Sequence, residues 1–251
     1  MKKDLKKEIG WLLKEKYHHK PTEKFDNDVK RLKAGEPVDY VIGFTNFLEC
    51  KIDLSEKPLI PRKDTEFWVK EAIKDMASPK GKLSSKRVLD LFSGSGCVGI
   101  AVLSKTGILL CDMVEKDKKF IEQIKINCEL NKIDKKRYRI IRSDVFSNVK
   151  NKYDFIFANP PYIAIKKIYS IQKSVLNYEP KVALFGGSDG LYYIKKFLSK
   201  AKNRLNPGGK IFMEFSPEQK PAIEKTIIKN KFSNYEFKKD QNDRWRWVEI
   251  S

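Results

Sequence analysis

The sequence predicts an α/β protein built on a mostly parallel sheet, on three observations. From Arg87 onward, short apolar runs alternate with segments of helical periodicity, the pattern of strand–helix–strand crossovers. The run Tyr153-Asp154-Phe155-Ile156-Phe157-Ala158 is almost continuously apolar, as a strand covered on both faces must be. Val88 to Phe92 is a similar run, and it ends in the tight turn Ser93-Gly94-Ser95-Gly96, after which a helix begins at Val98.

Leu5, Ile9, Leu12 and Leu13, then Phe25, Val29 and Leu32, fall at helical spacing. They predict two short amphipathic helices over residues 1–35, broken near Pro21. Such a pair suits a solvated hairpin against the main domain as well as a partner-binding module. Residues 36–60 read as a β-hairpin or extended linker, because 38–54 alternate and are β-branched or aromatic. The main domain spans 61–251. Its first helix follows Pro61-Arg62-Lys63-Asp64-Thr65-Glu66, where Asp64 or Thr65 suits the N-cap. Residues 78–85 carry turn chemistry and suggest a hinge. Strands follow at 88–92, 108–115, 138–142, 153–158, 210–215, 235–237 and 245–250, seven in all. Helices are expected over 98–105, 117–131, 191–205 and 217–229, and Asn206-Pro207-Gly208-Gly209 reads as a turn.

At 251 residues, with 41% hydrophobic content, the chain can bury one sizeable core. The net charge of +19 favours a polyanionic partner, nucleic acid first among them. The excess is mostly lysine dispersed over the whole length, which a biased genome composition also produces. Cys50, Cys97, Cys111 and Cys128 form no Cys-x-x-Cys pair, and the histidines are His18 and His19, so neither a zinc site nor a disulfide framework is indicated. No signal-peptide core or membrane-length apolar run is present. The expectation is a monomer in a reduced cytoplasm, with no metal and no membrane partner.

Chemistry enters at Asn159-Pro160-Pro161-Tyr162. Prolines cannot continue a central strand, so the backbone must leave the sheet here, at the strand's C-terminal end. Ligands of open α/β sheets bind at that end. Asn159 brings a side-chain carbonyl, Pro160 a backbone carbonyl and Tyr162 an aromatic face. Two acceptors and a flat ring suit a planar –NH2 group, whose delocalised lone pair reacts only when well positioned. A plain proline turn is the alternative reading.

The glycine turn could serve a dinucleotide, but two features favour S-adenosylmethionine. Asp90 stands on the strand itself, where it could hold the ligand's ammonium. Cys97-Val98-Gly99 replaces the third glycine of the dinucleotide spacing. Glu115, ending the second strand about 20 residues on, could accept both ribose hydroxyls. Asp112 competes for that role. Asp144 could accept from an adenine amino group, with Val145 or Phe146 against the ring.

These motifs stand in one order with Tyr178-Glu179-Pro180, Ala183 to Leu191, Pro207-Gly208-Gly209 and Glu214…Gln219. Over residues 36–251 the chain resembles the glutamine N5-methyltransferases that modify the Gly-Gly-Gln loop of peptide chain release factors. The resemblance implies a class I, Rossmann-like methyltransferase fold, S-adenosylmethionine as donor and a glutamine amide as acceptor. It places the donor on Phe92, Ser93, Gly94, Ser95 and Gly96, with Glu115, Asp144, Val145 and Asn159 around it. The glutamine falls to Asn159, Pro160, Pro161 and Tyr162. Three departures stand out: Phe92 at a position usually small, Ser216 where glycine is usual, and about 35 N-terminal residues where the family carries a multi-helix domain that docks the release factor. The last predicts reduced docking or a different protein substrate. A ribosomal-protein glutamine methyltransferase, or an adenine N6-methyltransferase on nucleic acid, shares part of the pattern. Asp64-Thr65-Glu66 favours the release-factor type over the former, and for the latter the length leaves no target-recognition domain.

Overall fold

The computed structural model describes residues 3–76 and 83–251. The N-terminal part comprises α1 (Lys3–Glu15), α2 (Glu23–Lys33), α3 (Val38–Ile42), the antiparallel hairpin β1 (Phe44–Phe47) and β2 (Cys50–Asp53), and α4 (Lys63–Met76). Leu12, Tyr17, Leu32 and Val41 form a small core between the first three helices. The helical unit therefore runs on to Ile42, into residues whose alternation suggested extended chain. Gly43, at φ +99°, ends α3 and turns the chain into the hairpin.

Strands β3 (Arg87–Leu91), β4 (Leu110–Glu115), β5 (Tyr138–Arg142), β6 (Tyr153–Ala158), β7 (Leu205–Glu214), β8 (Tyr235–Lys239) and β9 (Trp245–Ile250) form one sheet in the order β5-β4-β3-β6-β7-β9-β8. β3 to β7 are parallel, and β9 runs antiparallel to both β7 and β8. Between them lie α5 (Cys97–Lys105), α6 (Lys118–Leu130), α7 (Lys173–Tyr178), α8 (Lys181–Leu184), α9 (Tyr192–Ala201) and α10 (Lys220–Lys229). Alternation along the strands divides the core. Val88, Met113, Phe157 and Phe212 pack with α4, α5, α6 and the hairpin on one face. Leu89, Leu91, Ile156, Ile211 and Met213 pack with α9 and α10 on the other. Both faces are covered, which is why these strands read as continuous apolar runs.

Strand order reverses at β3: the chain moves outward through β4 and β5, then returns to place β6 on β3's other side. Leu91 and Ala158 are register partners at this switch point. The glycine turn and Asn159 thus leave adjacent strands at the same level, where the crevice of an open sheet lies.

Some elements differ from expectation. The helix expected to reach 205 ends at Ala201 in a 3-10 turn, and Asn206–Gly209 is a bulge inside β7, since Leu205 pairs with Tyr153 and Lys210 with Phe155. Asp64 and Thr65 do not cap α4, which begins at Lys63. Of the expected hinge, residues 78–82 lie outside the described residues and Leu83–Ser85 form a 3-10 turn.

The hairpin is no loose linker. Buried Asn127 of α6 accepts from the Asp53 N–H at 2.7 Å and donates to the Asp53 and Ser95 carbonyls at 3.2 and 2.9 Å. Gln123 accepts from Glu56 N–H and donates to the Asp53 carboxylate. One side chain thus joins the hairpin to the glycine turn. Removing it strands three backbone groups, so Asn127→Ala is expected to lower unfolding free energy by about 2–4 kcal/mol. Urea denaturation checks this; a loss below about 1 kcal/mol would show that water replaces the side chain.

Candidate active site

A cavity of about 450 Å³ opens over the C-terminal ends of β3, β4, β5 and β6. Its lining includes Asp90, Phe92 to Ser95, Glu115, Asp144, Val145 and Asn159. Gly96 lies just behind this wall as the residue before α5, at φ +80°. The structure therefore gathers the expected donor-binding residues at one place. Phe92 does not extend β3. It takes φ +66° and sets its ring edge-on to Tyr193, with centroids 5.9 Å apart, building one wall. Val145 also has a positive φ, +57°, costly for a β-branched residue. Two residues with strained backbone thus line the cavity.

The carboxylates divide cleanly. Asp112 is fully buried, accepts a bidentate pair from Arg139 at 2.7 and 2.6 Å, and accepts from the Tyr153 hydroxyl at 2.6 Å. It is a structural anchor, away from the cavity. Glu115 ends β4 at the cavity wall, its oxygens accepting from the N–H groups of Gly94, Lys116 and Asp117. Burial outweighs these bonds and raises its carboxyl above the usual range. Asp90 is also buried and accepts from Gly99 N–H at 3.0 Å. Burial pushes it up to about 7, and the neighbouring Glu115 charge adds to the rise. Burial acts the same way on Asp144, but Lys196 at 2.9 Å and Lys116 at 3.4 Å outweigh it and hold this carboxyl low.

These residues fit S-adenosylmethionine on one structural point above others. Asp144 Oδ1 is buried with no hydrogen-bond partner, although its companion oxygen is paired. An orphan acceptor on a cavity wall is what an exocyclic amino group would satisfy. A cation's ammonium would favour the ionised form of Asp90, and ribose hydroxyls would find acceptors on Glu115.

A second cavity of about 320 Å³ lies beyond Asn159, lined by Pro160, Tyr162, Ile163, Ile171, Gln172, Val175 and Glu214 among others. Leu59, Arg62, Asn159 and Ala183 line both cavities. Asn159 therefore stands in the partition. Its Nδ2 donates to Thr65 Oγ1 at 3.4 Å. Thr65 donates in turn to Glu214 Oε2 at 2.7 Å, Trp68 Nε1 donates to the same oxygen at 2.6 Å, and the Tyr162 hydroxyl donates to Oε1 at 3.0 Å. The Tyr162 hydroxyl is thus committed to Glu214, leaving its ring to the second cavity.

The Asp-Thr-Glu run on α4 now has a physical account. Asp64 pairs with Arg246 of β9 at 3.0 Å, Thr65 with Glu214 of β7, and Glu66 accepts from Leu48 N–H in the hairpin turn at 2.8 Å. Buried Glu179 binds Arg62 and the Ile60 N–H, drawing the loop before α8 onto the chain before α4. Thr65 and Glu214 were present in the sequence motifs, but their partnership spans 149 residues and no local pattern announces it.

Two glycines hold the Asn-Pro-Pro-Tyr backbone. A Cβ on Gly186 would lie 2.4 Å from the Pro161 carbonyl oxygen, and one on Gly190 would lie 2.2 Å from that of Tyr162. Gln219 Nε2 bridges the Tyr162 and Gly190 carbonyls at 2.9 and 3.1 Å.

Residues 73–188 match the model of the methyltransferase small domain. The release factor glutamine methyltransferase of Lactococcus lactis is 30% identical over 90% of this chain and 81% of its own length. That of Thermodesulfovibrio yellowstonii is 34% identical over 84% of this chain and 74% of its own. Among solved structures, a ribosomal protein L11 methylase from Lactobacillus delbrueckii superposes with a TM-score of 0.57 at 17% identity, covering 80% of this chain and 83% of that one, a likeness of fold.

The glycine clamp makes a sharp prediction. Gly190 also has φ +76°, so Gly190→Ala adds strain to a backbone clash. It is expected to lower stability by about 3 kcal/mol or more and to reduce methyl transfer. Thermal unfolding and single-turnover assays check it; wild-type behaviour would show that the loop moves aside at no cost.

Proposed function

We infer the reaction from one premise: the chain belongs to the release factor glutamine methyltransferase family. It transfers a methyl group from S-adenosylmethionine to the side-chain amide nitrogen of a glutamine, and the acceptor is the Gly-Gly-Gln glutamine of a peptide chain release factor. The observation that carries this reading is the partition: Asn159 borders a larger cavity with carboxylates for the donor and a smaller one for the side chain.

The donor supplies an electrophilic methyl carbon on a sulfonium: the C–N bond forms as the C–S bond breaks, its electron pair stays on sulfur as a neutral thioether, and the amide's proton passes to water. The chain's contribution is to bind and orient. Asp90 would hold the ammonium, Glu115 the ribose hydroxyls and Asp144 the adenine amino group, with the Phe92 to Gly96 turn supporting the donor. Asn159 Oδ1 and the Pro160 carbonyl accept from the glutamine –NH2, so that its lone pair points at the methyl carbon. The Tyr162 ring packs on the amide plane. The proton becomes acidic only as the C–N bond forms, so positioning supplies the rate enhancement and no strong base is needed. A cytoplasmic setting follows from a substrate that works in translation. Among the described residues no helix is long and apolar enough to cross a membrane.

The test supplies labelled donor with purified release factor, ribosomes or bulk nucleic acid. Label on the release-factor glutamine is expected; label on a ribosomal protein or on adenine would replace this reading. Asn159→Ala is expected to lower turnover roughly 10²–10³-fold, the scale for losing one preorganised polar partner, with donor affinity far less affected. A near-wild-type rate would displace the acceptor site from Asn159.

Donor binding should also depend on pH. With Asp90 raised to about 7, its carboxyl is neutral below that pH and charged above it. A cationic ammonium binds the charged form, so affinity rises as pH rises through 7 and binding releases a proton. Between pH 6 and 7.5 the gain is expected to be about five- to tenfold. In Asp90→Asn calorimetry should find no such gain; an unchanged slope would assign the titration to Glu115.

A further inference from the structure

A hydroxyl has one proton, and this fact decides how Asn159 faces its substrate. Thr65 spends that proton on Glu214, at 2.7 Å. Its oxygen is then only an acceptor toward Asn159. The neighbouring atom of Asn159 must be the –NH2 end, at 3.4 Å, and Oδ1 must point away from Thr65. Glu214 cannot reverse the arrangement. Trp68 Nε1, which can only donate, sits on the same Oε2 at 2.6 Å, and the Tyr162 hydroxyl donates to Oε1 at 3.0 Å, so the carboxylate receives its hydrogen bonds rather than giving one to Thr65. Thr65 and Glu214 are both buried. Without the hydroxyl, the Asn159 amide has no reason to choose between its two ends. A flipped amide would present –NH2 to the –NH2 of a glutamine, donor against donor.

We propose that Thr65 is a positioning residue: anchored on the buried Glu214, it fixes the amide of Asn159 with Oδ1 toward the acceptor cavity and so selects a hydrogen-bond donor, a primary amide, as the group to be methylated. Thr65 touches no reacting atom and acts through Asn159. The same carboxyl group holds Tyr162, so one buried side chain orients two members of the acceptor loop. The proposal rests on Asn159 being the acceptor-binding residue.

Thr65→Val removes the hydroxyl and keeps the shape. Turnover on a Gly-Gly-Gln-containing release factor is expected to fall about 10- to 50-fold, with the larger part in kcat/KM for the protein substrate. Donor affinity by calorimetry should stay near wild type, while the melting temperature falls only by the loss of one hydrogen bond to a buried carboxylate. Thr65→Ser restores the hydroxyl and is expected to recover activity to within about threefold. A double-mutant cycle separates orientation from packing: in an Asn159→Ala background, Thr65→Val should cost nothing more, because there is no amide left to orient. Where the valine variant does not fold, Thr65→Ala lacks the hydroxyl without adding bulk and carries the same comparison. Wild-type turnover in Thr65→Val, or costs that multiply in the double variant, would overturn the proposal. If Asn159→Ala alone is near wild type, the acceptor assignment fails instead, whatever Thr65 does.

Discussion

The candidate active site depends on Leu91 and Ala158 being register neighbours in adjacent parallel strands. Parallel pairing sends both chains out of the sheet in the same direction and at the same height. The glycine turn and the Asn-Pro-Pro-Tyr loop are therefore set side by side by the sheet's hydrogen bonds, before any loop residue contributes. Burial on both faces makes that register stiff, since a slip of one residue would turn every core side chain to the opposite face. The N-terminal hairpin, α4 and the long loop after Tyr162 then brace the two exits rather than create them.

That bracing is polar and buried, an expensive arrangement unless it is complete. Glu214 accepts three hydrogen bonds, Glu179 binds Arg62 and a backbone N–H, and Asp112 has a bidentate arginine and a phenol. Each joins parts of the chain far apart in sequence. By contrast many lysines lie in surface pairs such as Lys74–Glu71 and Lys125–Glu122, which contribute little. The net charge of +19 is not gathered at the two cavities, where Arg62, Lys116, Lys118 and Arg142 are matched by Asp90, Glu115, Asp117, Asp144 and Glu214.

What could be read from the sequence follows the range of the forces involved. The strands, the glycine turn and the proline exit are local signals, and they appear close to where periodicity put them. The choice of Glu115 over Asp112 could be argued from strand position, but its cause, Arg139 on the next strand, lies 27 residues on. Thr65 looked like a helix cap because capping is the local role of threonine; its true partner is on β7. Gly186 and Gly190 stood in a motif without a mechanism, because the carbonyls they admit belong to another loop. Residues 38–42 misled because alternation over a few positions does not separate a short helix from a strand.

The shared partition has a thermodynamic meaning. Leu59, Arg62, Asn159 and Ala183 belong to the walls of both cavities. Any adjustment of these four by one occupant is felt by the other. Linkage then requires reciprocity: the factor by which a bound donor changes affinity for the protein acceptor equals the factor by which the acceptor changes affinity for the donor. With the donor in the larger cavity as proposed, a spent donor, lacking its methyl and its sulfonium charge, would meet the same wall. The protein would thereby have a means of holding a fresh pair and a used pair with unequal strength, from nothing more than four residues serving two rooms.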